Sequence, residues 1–311
     1  MFTREFLLQK FLKTLPENNS QKIVFEILPG ENSKKIAQKL INNNFIVSQW
    51  AFLKFLQREN LDQKLLAGKF LLSKNLTIPE VVEIITQNKQ EQISVLIPEG
   101  FRNDQIDARL TELNLISSGE FLRCIDQDFS EFDFLPSPGK REGFFFPDTY
   151  FVNLQNFSVC DFAQIFLKNF AKKTANVRKN SPREFFDILK MASIIEKESY
   201  DSLERPIISG VLWKRLENNV LLGADATTRY FLKNFSGALT VEELEKKIPG
   251  NTRAVLGLPP TAICNPGISA ILAAANPQKS DFWYYLHDTK GEIHFGKNLQ
   301  EHNLNKSKFL K

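Results

Sequence analysis

Two periods alternate along the chain, a strand-like alternation of apolar and polar residues and a helical spacing of three and four. Residues 23–46 read IVFEILPGENSKKIAQKLINNNFI and residues 93–116 read ISVLIPEGFRNDQIDARLTELNLI. In each, a strand-like run enters a Pro/Gly turn and leaves as an amphipathic helical stretch. Counted from Gly30 and Gly100, apolar residues fall at matching offsets: Ile36 and Ile106, Leu40 and Leu110, Phe45 and Leu115, Ile46 and Ile116. The pair reads as an internal repeat of one small strand–turn–helix module. Ser33 in the first copy, and Asn103 or Asp104 in the second, are placed to cap the helices.

Between the copies, WAFLKFLQREN predicts a helix, AGKFLLSKNLT an extended stretch, and IPEVVEIITQN a second helix opened by Thr77 with Pro79 in its first turn. From residue 134 the texture changes to FLPSPGKREGFFFPDTYFV, rich in Pro, Gly and Phe, which reads as irregular structure around short strands. A helix follows over about 159–172 with Ser158 as its cap, and another opens at Ser181-Pro182-Arg183-Glu184, a capping-box pattern, to run through FFDILKMASIIEKES. LERPIISGVLWKRLENN is a further amphipathic helix. The loop GLPPTAICNPG, a small-residue helix ISAILAAAN and two strands, DFWYYLHD and EIHFG, joined at Lys290-Gly291, lead to a polar tail. With no regular βαβ alternation and no GxGxxG, the fold class is α+β.

The helix opened by Ser181 carries a carboxylate on its apolar stripe. At about 100° per residue, with Phe185 at zero, Leu189 lies at roughly 40°, Ala192 at roughly −20° and Glu196 at roughly 20°. Glu198 falls at roughly 220°, with Asp187 on the polar side. The wheel therefore turns Glu196 toward a core or cleft and Glu198 toward water. A carboxyl held against apolar surroundings has its charged form disfavoured and its pKa raised, so it can carry a proton at neutral pH and deliver it to a leaving group. The alternatives are that Glu196 pairs with a buried Lys197, Arg205 or Arg215, or that the stripe ends before it.

Composition narrows the classes. Of 311 residues, 42% are hydrophobic and 24% charged, with net charge +4 at pH 7, the profile of an ordinary folded protein rather than a dedicated nucleic-acid binder. Cys124, Cys160 and Cys264 lie far apart and exclude a disulfide scaffold and a zinc ribbon; His287, His294 and His302 are too irregularly spaced for a metal. No apolar run reaches the roughly 18 residues of a spanning helix. Arg4, Glu5, Lys10 and Lys13 interrupt the first apolar stretch, so no signal segment is visible and the chain reads as soluble. The Phe-rich stretch at 144–146 reads as core rather than as a sugar-stacking surface. Asp148 is either a second carboxylate near the site or a turn residue. Asp225, Asn251 and Thr252 are either substrate-binding groups on loops or turn-stabilising ones.

Several segments, in order, resemble the endolytic murein transglycosylase (YceG-like) family. IPEGF at 97–101 is similar to the family's IPEG turn, EGFFFPDTY at 142–150 to EGxLFPDTY, and MASIIEKES at 191–199 to LASIIEKET. ERPIISGVLWKRLENNVLLGADATTRY at 204–230 parallels its helix and LQSDPTVxY loop, GLPPTAICNPG at 257–267 parallels GLPPxPIxNPG, and EHN at 301–303 closes a likeness spanning roughly 23–303. The chain reads as an N-terminal tail over 1–20, a small α/β module over 21–92, and a region over 93–311 that holds the second strand–turn–helix unit (93–120); the resemblance implies that the modules are LysM-like and that 93–311 is YceG-like with a catalytic domain over about 134–311. It implies cleavage of the MurNAc–GlcNAc β-1,4 bond of peptidoglycan to a 1,6-anhydro-MurNAc end, ending nascent glycan strands. The first glutamate of the motif, Glu196, would serve as acid and then as base, without cofactor or metal. It further implies glycan gripped by the LysM-like modules, cell-wall synthases as partners, and a place on the outer face of the cell membrane, usually through a membrane anchor that this sequence does not show. Departures stand beside it: PYNTY reads Pro249-Gly250-Asn251-Thr252-Arg253, Gly223 replaces a common Gln and Ala226 a Pro, and Ile293 stands where a His is common. With both tyrosines gone, a non-catalytic peptidoglycan-binding scaffold is the rival reading.

Overall fold

The structure is a computed structural model that describes residues 4–87, 92–136, 141–154, 157–199 and 201–310, so residues 137–140 of the Pro/Gly/Phe-rich stretch lie outside the described residues. Its elements run α1 (Arg4–Lys13), β1 (Ile23–Ile27), α2 (Ser33–Asn42), α3 (Gln49–Glu59), β2 (Gly68–Leu72), α4 (Ile78–Thr86), β3 (Gln92–Ile97), α5 (Asn103–Glu112) and α6 (Glu120–Ile125). There follow β4 (Asp148–Asn153), α7 (Val159–Asn180), α8 (Phe185–Glu198), α9 (Arg205–Glu217), α10 (Asp225–Leu232) and α11 (Val241–Glu245). The chain ends with α12 (Ile268–Ala275), β5 (Tyr284–His287), β6 (Ile293–Gly296) and α13 (Leu299–Phe309). Helices and three two-stranded sheets, β1-β2, β3-β4 and β5-β6, make it α+β. The chain divides into two compact units, one of residues 1–95, 107–120 and 149–162, the other of 96–106, 121–148 and 163–311.

The first unit is built on the antiparallel β1-β2 ribbon, in which Phe25 faces Phe70 and Ile23 faces Leu72. Ile36, Leu40, Phe45, Phe52, Leu56, Val81 and Ile85 from the surrounding helices close over it. Where the sequence suggested an N-terminal tail, residues 4–13 are helical and Leu8 and Leu12 join this core. Spaced four apart, they share one helix face, and the interrupting charges lie around the rest. Thr77 opens α4 as expected, its N–H donating to Glu80 Oε2 at 2.7 Å. The α2 cap sits one residue earlier than expected, on Asn32, whose Oδ1 accepts from the Lys35 N–H at 2.9 Å.

The repeat is closely matched in backbone. Gly30 and Gly100 turn with φ of 81° and 77°, a left-handed conformation that glycine adopts without strain. Both helices stop in the same way: the Phe45 N–H bonds the Leu40 carbonyl at 2.9 Å and the Leu115 N–H bonds that of Leu110 at 3.0 Å, after Asn44 and Asn114 with φ of 56° and 54°. Ile36, Ile106, Leu40 and Leu110 are all fully buried. Asn103 caps nothing; it is the buried first residue of α5, and its N–H donates to Glu142 Oε1 at 2.9 Å.

In the second unit α8 is the central helix, packed by α9, α10 and α12. It begins at Phe185, three residues later than the Ser181 pattern suggests, because the Ser181 hydroxyl accepts from the Arg183 N–H in a local turn instead of capping the helix. Phe144 and Phe145 are fully buried and Phe146 nearly so, packed with Phe121, Phe134, Phe166, Phe170 and Phe186, so the Phe-rich stretch is core. β5 and β6 form the expected antiparallel hairpin, with Tyr284 opposite Gly296. The expected polar tail folds as α13, capped by Asn298, whose Oδ1 accepts from the Glu301 N–H. Cys124 is disulfide-bonded, which the cysteine spacing did not suggest, and Cys264 is a buried free thiol.

Candidate active site

Three motif segments converge through one side chain, Asn265. Its Oδ1 accepts from the Phe145 N–H at 2.9 Å, and its Nδ2 donates to the Phe101 carbonyl and to Asn103 Oδ1 at 2.9 and 3.0 Å. The Gly100 N–H returns a bond to the Asn265 carbonyl at 2.8 Å. Glu142 completes the clasp, taking bonds from the Asn103 N–H and from the Tyr230 hydroxyl at 3.0 Å. Burial pushes its carboxyl up to about 7. These bonds tie together the loops that border the C-terminal half of α8, where the Gly267 N–H reaches Glu196.

That half carries the two glutamates. Glu196 is 5% exposed, and both of its oxygens are engaged: Oε1 accepts from Arg205 Nη2 at 2.7 Å and Oε2 from the Gly267 N–H at 2.9 Å. Burial pushes its carboxyl up, while the Gly267 N–H and the Arg205 guanidinium pull against it. The burial expected from the wheel is there, together with the paired arginine that was its alternative.

Glu198 is the larger surprise. The wheel turned it to water; instead it lines a cavity of about 560 Å³ with Arg215 from α9, Asp225 from α10, Tyr284 and Tyr285 from β5, and His302 and Lys306 from α13. Residues 191–196 are buried without a break, so only Lys197 of the last turns is exposed and the wheel's polar side does not extend to Glu198, which is half-buried. The Tyr285 hydroxyl donates to Glu198 Oε2 at 2.8 Å, and Oε1 accepts no hydrogen bond among the described residues. Burial raises the Glu198 carboxyl, the Tyr285 bond opposes it, and the negative charge of Asp225 adds to the rise. Burial raises the Tyr285 phenol too, so it stays a donor.

Of the other sequence-derived candidates, Asp225 lines this cavity, bound to Arg253 Nη1 at 2.7 Å. Asn251 and Thr252 do not. Asn251 is fully buried, its Nδ2 donating to the carbonyls of Glu243, Leu244 and Lys246 and its Oδ1 accepting from Thr228 Oγ1. Thr252 Oγ1 lies 2.9 Å from Thr227 Oγ1 and accepts from the Ala224 N–H. Both are buried with their polar groups spent on the turn that presents Gly223, Asp225 and Arg253, which is the turn-stabilising alternative. Asp148 lies outside the cavity lining, at the start of β4, where it accepts from Asn169 Nδ2 at 3.1 Å beside Lys173.

The missing tyrosine at Gly250 has a replacement. A Cβ built there would lie 2.2 Å from the ring of Phe231, and Gly250 has φ of 93°. Phe231 fills the space, so restoring an aromatic at 250 would collide with it. Gly250→Ala is expected to lower stability by about 1–3 kcal/mol, through overpacking and a left-handed backbone. Denaturant unfolding measures it, and an unchanged midpoint would mean that Phe231 swings away freely.

Asp288, Glu292 and His294 lie close together at the β5-β6 turn, but Asp288 is consumed in the turn, by His294 Nε2 at 3.0 Å and the N–H groups of Lys290 and Glu292. Sequence reasoning missed Glu198, Arg215, Tyr284, Tyr285 and His302. The motif's second acid was the one available signal. The tyrosines read only as strand residues.

The profile of the YceG-like family matches residues 25–308. The chain is 28% identical to the endolytic murein transglycosylase of Bacillus subtilis strain 168, over 98% of this chain and 90% of that protein. It is 24% identical to the endolytic murein transglycosylase of Streptococcus pneumoniae D39, over 92% of this chain but only 58% of that longer protein. A crystal structure of a YceG-like protein from Listeria monocytogenes superposes with a TM-score of 0.63 at 27% identity, covering 91% of this chain and 99% of that one. With the family profile matched over nearly its whole length, the chain belongs to the YceG-like family.

Proposed function

We propose that the protein is a lytic transglycosylase that cleaves within peptidoglycan strands, and that Glu198 rather than Glu196 moves the proton. The observation that carries the assignment is the contrast between two carboxyl groups two residues apart. Both oxygens of Glu196 are occupied by donors in a closed, buried site. Glu198 keeps one oxygen open to a cavity of about 560 Å³, within the size range of small-ligand sites. The murein transglycosylase names of the Bacillus and pneumococcal relatives support peptidoglycan as substrate.

The reaction follows from one acid. Glu198, whose protonated form burial favours, gives its proton to the oxygen of the MurNAc–GlcNAc β-1,4 bond while an oxocarbenium-like centre develops at C1 of MurNAc. The carboxylate so formed retains the Tyr285 hydrogen bond. It then takes the proton of the sugar's own 6-hydroxyl as that oxygen closes onto C1, leaving a 1,6-anhydro-MurNAc end. No water and no second enzymic nucleophile enter. Ending nascent strands in this way would place the protein beside cell-wall synthases at the envelope. The disulfide at Cys124 fits an oxidising compartment. Among the described residues no helix is long and apolar enough to cross a membrane.

Incubation with purified sacculi in ¹⁸O-labelled water tests the proposal. Mass spectrometry is expected to find anhydro-muropeptides with no label at C1. Label at the cleaved C1 would make the protein a hydrolase, and binding without anhydro products would make it a scaffold.

A further inference from the structure

The cavity holds more positive charge than its own carboxylates neutralise. Arg253 presents its guanidinium there but commits only Nη1, to Asp225 Oδ1 at 2.7 Å and the Gly223 carbonyl at 3.3 Å. Nε and Nη2 have no hydrogen-bond partner among the described residues. Arg215 spends Nε and Nη1 on the carbonyls of Trp283 and Leu222, bonds that fix its position and leave its charge uncompensated. Lys306 reaches the cavity from α13 with no ion-pair partner among the described residues. Three cations thus face two carboxyl groups, Asp225 and Glu198. A low-polarity wall such as the Tyr284 ring, 4.8 Å from the Arg215 guanidinium, strengthens the field that results.

Resting on the transglycosylase reading, we infer that this cavity selects its glycan by a carboxylate carried on the muramyl residue, bound by the free edge of Arg253 with Lys306 in support. The two free N–H groups of one guanidinium edge form the fork that a carboxylate meets in two parallel bonds. The Gly223 carbonyl accepts from Arg253 Nη1 at 3.3 Å, which lays the guanidinium against the backbone of the 223–225 loop. The carboxylate has two sources, the peptide stem or, on stripped strands, the lactyl group of muramic acid. Asp225 contributes by holding Nη1, which fixes the outward edge of the fork.

Three soluble strand preparations separate the sources: stems with free carboxylates, the same stems chemically amidated, and strands with the stems removed. The intact protein is expected to show a kcat/KM about tenfold higher on carboxylate-bearing strands than on amidated ones, the size of a charge-assisted contact. Arg253→Gln is expected to remove that preference through KM. Arg253→Lys, which keeps the charge without the fork, should keep part of it, and Lys306→Gln should weaken it less. A general fold defect would lower all strands alike. Preference for free over amidated stems identifies the stem carboxylate; equal use of those two with faster cleavage of stripped strands identifies the lactyl group. Turnover of all three at rates that do not depend on Arg253 overturns the inference and leaves the transglycosylase reading standing. Should no strand be cleaved, that reading fails, and calorimetric binding of N-acetylmuramic acid against N-acetylglucosamine decides: Arg253-dependent binding of the acid alone upholds the carboxylate site, and equal binding of both sugars overturns it.

Discussion

Glu198→Gln is expected to lower kcat about a thousandfold and to leave the protein as stable at pH 7 as before, or more so. The loss follows from the role: a positioned general acid contributes about 10²–10⁴ in rate. The stability follows from the side chain's surroundings. Burial holds the folded carboxyl above its unfolded value of about 4.3. A group of that kind contributes its full stabilisation below the unfolded pKa and loses it as pH rises through the folded one. At pH 7 any ionised Glu198 is therefore a cost, which glutamine lacks, and the gain shrinks toward pH 4–5. Glutamine also fits the bonds, since its carbonyl can accept from the Tyr285 hydroxyl while its amide faces the open cavity. Anhydro-muropeptide release, with melting at pH 7 and pH 4.5, checks both halves. Unimpaired turnover would remove Glu198 from the chemistry, and a melting temperature several degrees lower at pH 7 would make it a structural carboxylate.

What the sequence revealed and what it hid divide along the range of the interactions. The repeat was legible because its determinants are local: a glycine in the left-handed region, a helix ended by Asn44 or Asn114, and apolar residues at fixed offsets. The hairpin Tyr284–Gly296 was legible for the same reason. Boundaries failed where two local bonds compete, as at Ser181, which turns onto Arg183, and at Ser33, where Asn32 caps first. The N-terminal helix was hidden because Leu8 and Leu12 are bought into a core by residues far along the chain. The wheel on α8 failed for a tertiary reason. It presumes one continuous wet face, and in a helix packed by α9, α10 and α12 that face narrows to Lys197 near the C-terminal end. The cavity assembles residues 198, 215, 225, 253, 284 and 302, and no spacing in the sequence brings those together. Asn251 and Thr252 were visible as polar loop residues, yet nothing local says that their donors and acceptors are already spent.

Glu196→Gln is expected to give the opposite phenotype, a stability loss of about 3 kcal/mol with Glu198 still able to move its proton. The change removes the partner of a buried guanidinium 2.7 Å away, and uncompensated buried charges of that kind cost about 3–5 kcal/mol. Glu99, 4.0 Å from Arg205 and half exposed, offsets a part of it. Glutamine cannot satisfy the site in either orientation. With its carbonyl toward Arg205 its amide meets the Gly267 N–H, and with the carbonyl toward Gly267 its amide meets the guanidinium; each places donor against donor. This separates a glutamine from a protonated glutamate, whose second oxygen still accepts. Glu196→Asp, which keeps the charge on a shorter arm, should lose less. Denaturant unfolding at pH 7 measures the loss, and anhydro-muropeptide release at a temperature where the variant is folded measures the activity. If Glu196→Gln is fully stable and inactive while Glu198→Gln still cleaves, the proton belongs to Glu196 and the cavity is not where the bond breaks. If it is unstable but active when folded, Glu196 is the buried anchor that holds the IIEKE turn of α8 in place for its neighbour.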